Sequence, residues 1–409
     1  MARLFKSAAG MGPTSSRYAR LGQAPTGDLQ NRRYTNKSAS ARIQVHFATL
    51  PDPRRRKVTH PLINFIVIAI CAVICGADDF VAIADFGRKK RRWFRKILDL
   101  RAGIPSHDRF NAIFSMLSRA EFERCLLSWI EALHEATEGQ VIAIDGKTLR
   151  GSFGRASNKS AIHMISAWAS ANSISLGQLV VDAKSNEITA IPKLLDMLQL
   201  KGATVTIDAA GCQTEIARRI VDAGGHYVLN VKGNQVTLRD GIEKFFAEYL
   251  DGQMPTVPVR QRHSTNTGHG RRESRWHYVC GVPRDLPDRD RWPGLKAIGM
   301  VISNTERDGK ECGSIRYYIM TRKMPVKKFA AIVKGHWAIE NELHWQLDVT
   351  FREDHCRIRK ANADANFSIL RRIALMLLKN EKTAKLGVKN KRLSAGWDED
   401  YLLKVLVGP

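Results

Sequence analysis

Hydrophobic positions along this chain follow two different rhythms, and the change falls near residue 136. From Leu62 to Ala77 apolar residues run almost unbroken, interrupted only by Asn64 and Gly76. The run is shorter than the roughly 20 residues that cross a bilayer, so it predicts a helix buried in a core. Further on, apolar residues at 110, 113, 114 and 117 mark one stripe of a second helix. Ser106 stands where that helix needs an N-cap. Residues 44–135 are therefore expected to be all-helical. A short helix, a turn and this second helix fit a helix-turn-helix reader.

After residue 136 the pattern turns strand-like. Strand-like runs occur at 140–145, 161–169 and 174–183. A helical stretch follows at 187–200, then a strand at 203–208, a helix at 213–224 and a strand at 226–231. Three strands in succession, then α-β-α-β, is the order of an α/β, ribonuclease-H-like mixed sheet with helices on its faces. In such a sheet the first and fourth strands lie side by side and parallel. Residues 136–254 read as the first part of this core and 255–325 as a β-rich insertion. Residues 326–409 read as a helical return to the core.

Charge narrows the partners. Lys and Arg number 65 against 40 Asp and Glu, a formal charge of +25 on 409 residues. An excess of this size points to a polyanion, and nucleic acid is preferred over a merely basic soluble protein. The stretch 87–96 concentrates Arg88, Lys89, Lys90, Arg91 and Arg92 beside Trp93 and Phe94, with no acid. It is read as a phosphate-contacting surface. Arg271, Arg272 and Arg275 form a second basic cluster inside the insertion. Residues 1–43 contain one acid, Asp28; a disordered basic arm and an over-extended start of the reading frame both fit. Seven scattered cysteines without a Cys-x-x-Cys pair argue against a zinc ribbon and for a reducing compartment. With no secretory signal pattern, the expected location is cytoplasmic and nucleoid-associated, with no membrane partner.

Three acids carry the candidate chemistry. Asp145 ends Gln-Val-Ile-Ala-Ile-Asp and precedes Gly-Lys-Thr-Leu-Arg-Gly-Ser. Asp208 ends Ala-Thr-Val-Thr-Ile-Asp and precedes Ala-Ala-Gly-Cys-Gln. Glu340 lies in His-Trp-Ala-Ile-Glu-Asn-Glu-Leu-His-Trp, which has helical spacing. A lone strand-end aspartate is often only a helix N-cap. Two of them with a helix-borne glutamate suit two Mg²⁺ or Mn²⁺ ions and in-line attack on a phosphodiester. Lys147, Arg150 and Lys232 are expected to neutralise phosphates near the same edge. His336, Glu340 and His344 recur every fourth residue on one face. A zinc site is the weaker reading because His-Glu-x-x-His is absent; the histidines are placed beside the carboxylate, with His336 toward DNA. Asp348, Glu353 and Asp354 compete with Glu340 as third acid, Asp348 most strongly. No Walker motif is present, so ATP is not implied.

These motifs resemble a known group. Asp-Gly-Lys-Thr-Leu-Arg-Gly-Ser (145–152), Ile-Asp-Ala-x-Gly-Cys-Gln (207–213), Val-Lys-Gly-Asn-Gln (231–235) and the long run at 336–354 look like the ISAs-type, H-repeat-associated insertion-sequence transposases of the DDE superfamily. The likeness runs from about residue 45 to the C-terminus and takes in 46–54 and 395–402. It implies Asp145, Asp208 and Glu340 as metal ligands, and a DNA transposase that binds terminal inverted repeats, cleaves there and joins the ends to target DNA. Double-stranded DNA is then the partner, with a homodimer at synapsis. One departure stands out: where relatives with a β-insertion carry Tyr, Arg and Lys around the glutamate, this chain has Val333, His336 and Leu347. The rival expectations are a nuclease without strand transfer and an inactive DNA-binding relic.

Overall fold

The strand-forming runs fold as β1 (Val141–Leu149), β2 (Ile162–Ala169), β3 (Ile174–Val181), β4 (Thr204–Ile207) and β5 (His226–Val231). They are followed by β6 (Arg260–Gly268), β7 (Arg271–Gly281), β8 (Ala297–Arg307) and β9 (Lys310–Met320). The computed structural model describes residues 45–55, 58–133, 140–149, 162–169, 174–181, 186–268 and 270–407. Within these residues the protein is mixed α/β, built on one large mixed sheet in the order β3-β2-β1-β4-β5-β9-β8-β7-β6.

β1, β4 and β5 are parallel neighbours, while β2 and β3 add antiparallel on one side. On the other side β9 pairs antiparallel with β5 and leads a four-stranded meander out to β6. The strands of residues 255–325 thus extend the same sheet. β1 also runs past Asp145 to Leu149, farther than the sequence suggests. The strand-like run was expected to end at Asp145, yet β2 stays paired beyond it, Asp145 opposite Ser166 and Lys147 opposite Met164.

Alternation along β1 assigns the two faces. Ile142 and Ile144 point into a cluster with α6 (Glu187–Leu195), α7 (Thr214–Asp222) and α8 (Val236–Leu250). Ala143 points the other way, into the helical core. Farther along that second face, Val228, Val301 and Tyr318 pack against Phe329, Ile332 and Val333 of α9 (Val326–His336).

The helices before β1 are α1 (Leu62–Ile74), α2 (Phe80–Lys89), α3 (Arg91–Phe94), α4 (His107–Met116) and α5 (Arg119–Leu133). α1 is buried from Asn64 through Ile74, as an apolar helix without a polar face must be. It ends where Cys75 and Gly76 follow, Gly76 at φ 111°, a conformation that glycine adopts freely. Ser106 caps α4 by accepting from the Arg109 N–H, and Phe110, Ile113, Phe114 and Leu117 are buried. These helices share one core with α10 (Ala363–Asn380), α11 (Val388–Trp397) and α12 (Glu399–Val407). The Phe80 ring stacks on Phe114 at 5.6 Å and meets Phe367 of α10 edge-on at 5.5 Å. No helix of the described residues is long and apolar enough to cross a membrane. All seven cysteines are free thiols.

Candidate active site

The parallel ladder between β1 and β4 ends with Ile144 opposite Ile207. The next residue on each strand is Asp145 and Asp208, so the two acids stand side by side at the carboxyl edge of the sheet, where α/β sheets keep their sites. Both follow the alternation of Ala143 and Thr206, toward α9, whose His336 Nδ1 lies 3.0 Å from the Thr206 hydroxyl. After Asp208 the chain turns, and its carboxylate accepts from the N–H groups of Ala210 (3.1 Å) and Gly211 (3.4 Å). Beyond α9 the backbone widens into π-helical turns, Ile339–His344 and Gln346–Thr350. Such turns recur at functional sites. They bring Glu340 to the same place: Asp145, Asp208 and Glu340 line one cavity of about 230 Å³ with Asn230, Lys232, Arg316, His336 and Trp337.

The acids crowd one another. Burial first, then the Glu340 and Asp208 carboxylates, push Asp145 up to about 7. Burial also raises Asp208, against the pull of the Gly211 N–H. His344 Nδ1 lies 3.4 Å from Asp145 but brings no charge, since burial holds its ring down to about 3. No Lys or Arg of the described residues forms an ion pair with Asp145, Asp208 or Glu340 in this arrangement. Hard oxygen donors with unbalanced negative charge are what a divalent cation requires, and on that ground the three acids fit one. As they stand, no three His, Cys, Asp or Glu side chains among the described residues converge closely enough to grip a single ion; the acids line a space instead.

The other expected residues divide. Lys232 is exposed at the cavity wall, and His336 lines it too. Lys147 does not face phosphate. It follows Asp145 on the same strand face, and its ammonium is buried 2.5 Å from Asp348 and 2.8 Å from Glu353. Those two rivals of Glu340 are thereby occupied, Glu353 fully inside the protein. Arg150 and residues 1–43 lie outside the described residues. In the basic stretch, Arg88 and Lys89 pair with Asp85 and Lys90 with Glu399, while Arg91 and Arg92 are exposed. Trp93 and Phe94 are core residues, 3% and 0% exposed, so that pair takes no part in the phosphate-contacting surface expected of the stretch.

Arg271 and Arg275 line a groove of about 610 Å³ between the β6–β7 hairpin and α9, together with Arg262, Lys327 and Lys334. Arg275 is paired with Glu273 at 2.6 Å. Arg272 alternates to the opposite face of β7. Trp337 belongs to both the groove and the acid cavity, and Arg316 stacks over its ring at 4.7 Å. Arg316 was not legible in advance, because it is brought in by strand register: it pairs with Val301, which pairs with His277, which pairs with Arg262.

A fourth carboxylate also went unforeseen. Glu187, at the start of α6, lies 2.6 Å from His163, whose other nitrogen is 2.9 Å from the Thr148 hydroxyl. Its charge acts on both Asp145 and Asp208. A Cβ at Gly146 would run into the Glu187 carboxylate, so the glycine after Asp145 is what lets this pair close against β1.

Two family models match the chain: the DDE_Tnp_1-associated model over residues 44–130 and the transposase DDE domain over residues 136–377. The chain is 40% identical over 375 residues to "H repeat-associated putative transposase YhhI" of Escherichia coli (strain K12), covering 90% of this chain and 98% of that protein. It is 41% identical over 371 residues to "Putative transposase YncI" of Escherichia coli O157:H7, covering 88% and 93%. Among solved structures, a piggyBac transposase synaptic complex with hairpin DNA aligns over 92% of this chain and 79% of that one. Its TM-score is 0.41 and its identity 11%, too distant a likeness to bear on the fold. On the family models and the near full-length relatives, the chain belongs to the transposase DDE domain family, among the H repeat-associated transposases.

Proposed function

We propose that this protein is a DNA transposase with a ribonuclease-H-like catalytic core. It binds the terminal inverted repeats of an insertion sequence, cleaves there, and joins the freed 3′-hydroxyls to target DNA. One observation carries the reading: Asp145 and Asp208, adjacent in register, line one cavity with Glu340, and no Lys or Arg of the described residues forms an ion pair with any of the three. The run β3-β2-β1-β4-β5 within the larger sheet supports the core assignment.

Asp145, Asp208 and Glu340 would hold two Mg²⁺ or Mn²⁺ ions. When bound, such ions activate the attacking oxygen and stabilise the leaving one. The chain's own residues do the rest. Lys232 and Arg316 offer positive charge to a phosphate entering the cavity. Arg262, Arg271, Arg275, Lys327 and Lys334 line a path for the flanking duplex backbone that runs into the cavity at Trp337. Exposed Arg91 and Arg92 add a separate phosphate-contacting surface on the helical side. Two ends have to be joined in one event, so a homodimer at synapsis follows from the reaction.

The test uses a labelled duplex carrying the element end, with Mg²⁺ or EDTA. Wild-type protein should nick it only with Mg²⁺. Asp145→Asn and Glu340→Gln should lose nicking at least 1,000-fold, on the order expected for removing a group that acts with its partners as a unit, and still retard the duplex in a gel. Nicking that survives Asp145→Asn would overturn the assignment.

A further inference from the structure

Glu340 faces a placement problem that the sheet alone does not solve. The whole β6–β9 meander separates it from Asp208, and its backbone is a run of π-helical turns, whose side-chain register is not fixed by ordinary helical bonding. Something has to set the rotation and depth of that segment against β1.

The buried polar groups beneath the acids supply it. Lys147 lies two residues beyond Asp145 on the same strand, so its side chain leaves the same face about 7 Å along. Its side chain is 8% exposed, and its ammonium bonds Asp348 at 2.5 Å and Glu353 at 2.8 Å. Asp348 sits in the second π-helical stretch, and Glu353 just beyond it. Glu353 is held in turn by the Ser368 hydroxyl of α10 at 2.8 Å. One helical turn along, Arg372 bonds Ser166 at 2.9 Å, the residue opposite Asp145 across the β1–β2 ladder. On the outer side Glu342 pairs with Lys379 of α10 at 2.8 Å. The Glu340 segment is thus bolted at Asp348 to the strand that carries Asp145, and at both flanks to α10. An ion pair inside a protein adds little net stability, but it strongly penalises any arrangement that leaves one member unpaired. It therefore specifies register.

We infer that the buried Lys147–Asp348–Glu353 ion cluster is a positioning device that sets Glu340 against Asp145, and that Asp348 is a strut of that device and not the third acid. The inference rests on the transposase reading for its catalytic meaning. Its structural part does not.

Two full-length variants test it: Asp348→Asn, and the neutral triple Lys147→Met/Asp348→Asn/Glu353→Gln. The triple removes Lys147 together with both of its partners but leaves the buried Arg372 with Glu123 alone, so its melting transition should fall, by less than that of Lys147→Met, which leaves two carboxylates behind. Hydrogen exchange without metal is read first. Residues 339–350 should exchange at least 10-fold faster in the triple, while 204–231 stay as in wild type. Unchanged exchange in 339–350 would overturn the positioning role whether or not the protein cleaves DNA. Mn²⁺ binding and nicking are read next. Asp348→Asn should keep the wild-type number of bound Mn²⁺ ions and lose about 10-fold in nicking; the triple should lose about 100-fold. A triple that nicks at the wild-type rate would reduce the cluster to a stability element. Loss of a bound ion in Asp348→Asn, matching Glu340→Gln, would make Asp348 the third acid. Should wild-type protein neither bind Mn²⁺ nor nick, the transposase reading fails, and the exchange result still decides the structural claim.

Discussion

Asp145 is the most strained acid in the site, and its strain is measurable. Burial, and after it the Glu340 and Asp208 carboxylates, push its carboxyl up to about 7 from the 3.8 of an ordinary aspartate. Folding therefore penalises the ionised form. The penalty is absent below about pH 4, grows as pH rises through the interval to 7, and is complete above it. In EDTA at pH 8, Asp145→Asn should melt higher than wild type, by a margin of roughly 2–4 kcal/mol, and the gap should close at pH 4. Equal melting at pH 8 would show that burial and the neighbouring carboxylates do not penalise the ionised Asp145. Glu353 has the opposite sign: the charges of Lys147, Arg372 and Arg371 hold it at about 2, so its contribution is present above about pH 4.5 and lost as pH falls toward 2. The three acids were legible in the sequence because each closes or sits in a compact motif. The role of Lys147 was not. The strand-like run ends at Asp145 by pattern, and only the ladder to β2 carries β1 onward and turns Lys147 inward. The Glu187–His163 pair was hidden for a related reason, since nothing in sequence links β2 to the first turn of α6.

At the scale of elements, the strand order after residue 139 was readable because β-branched runs and turn residues alternate cleanly there. What could not be read was where β6–β9 go. Pairing of β9 with β5 is a long-range choice between sheet edges, and local pattern is silent on it. That choice creates the basic groove, because it lays Arg262 and Arg275 alongside α9. Each cation that meets a phosphate releases counterions, so its removal lowers the slope of log K against log salt by about one. Arg262→Ala with Arg275→Ala should lower that slope by about two for an element-end duplex while leaving the melting temperature unchanged. A slope equal to wild type would take DNA out of the groove.

Over the whole molecule, the expectation of a separate helical N-terminal part meets a different arrangement. The apolar run of α1 and the stripe of α4 were read correctly as buried, but they share their core with α10 to α12, more than 200 residues away in sequence. Lys90 to Glu399 and the Arg392 guanidinium to the Val73 carbonyl cross the same boundary. A core closed by both ends of the chain should unfold as one unit. A fragment starting at residue 136 should lose the packing of α10 and aggregate or bind a hydrophobic dye; a soluble, cooperatively melting fragment would contradict the shared core. The net charge of +25 belongs to this scale as well, since under the proposed function it would draw a duplex to the surface before a particular contact forms.

Under the proposed function the acid cavity joins DNA as well as cutting it. The most direct measurement incubates purified protein with a labelled element-end duplex and supercoiled plasmid in Mg²⁺. Covalently joined product that disappears in EDTA and in Glu340→Gln is the predicted result. Cut ends without joined product, over the full course of the reaction, would contradict it and leave a nuclease.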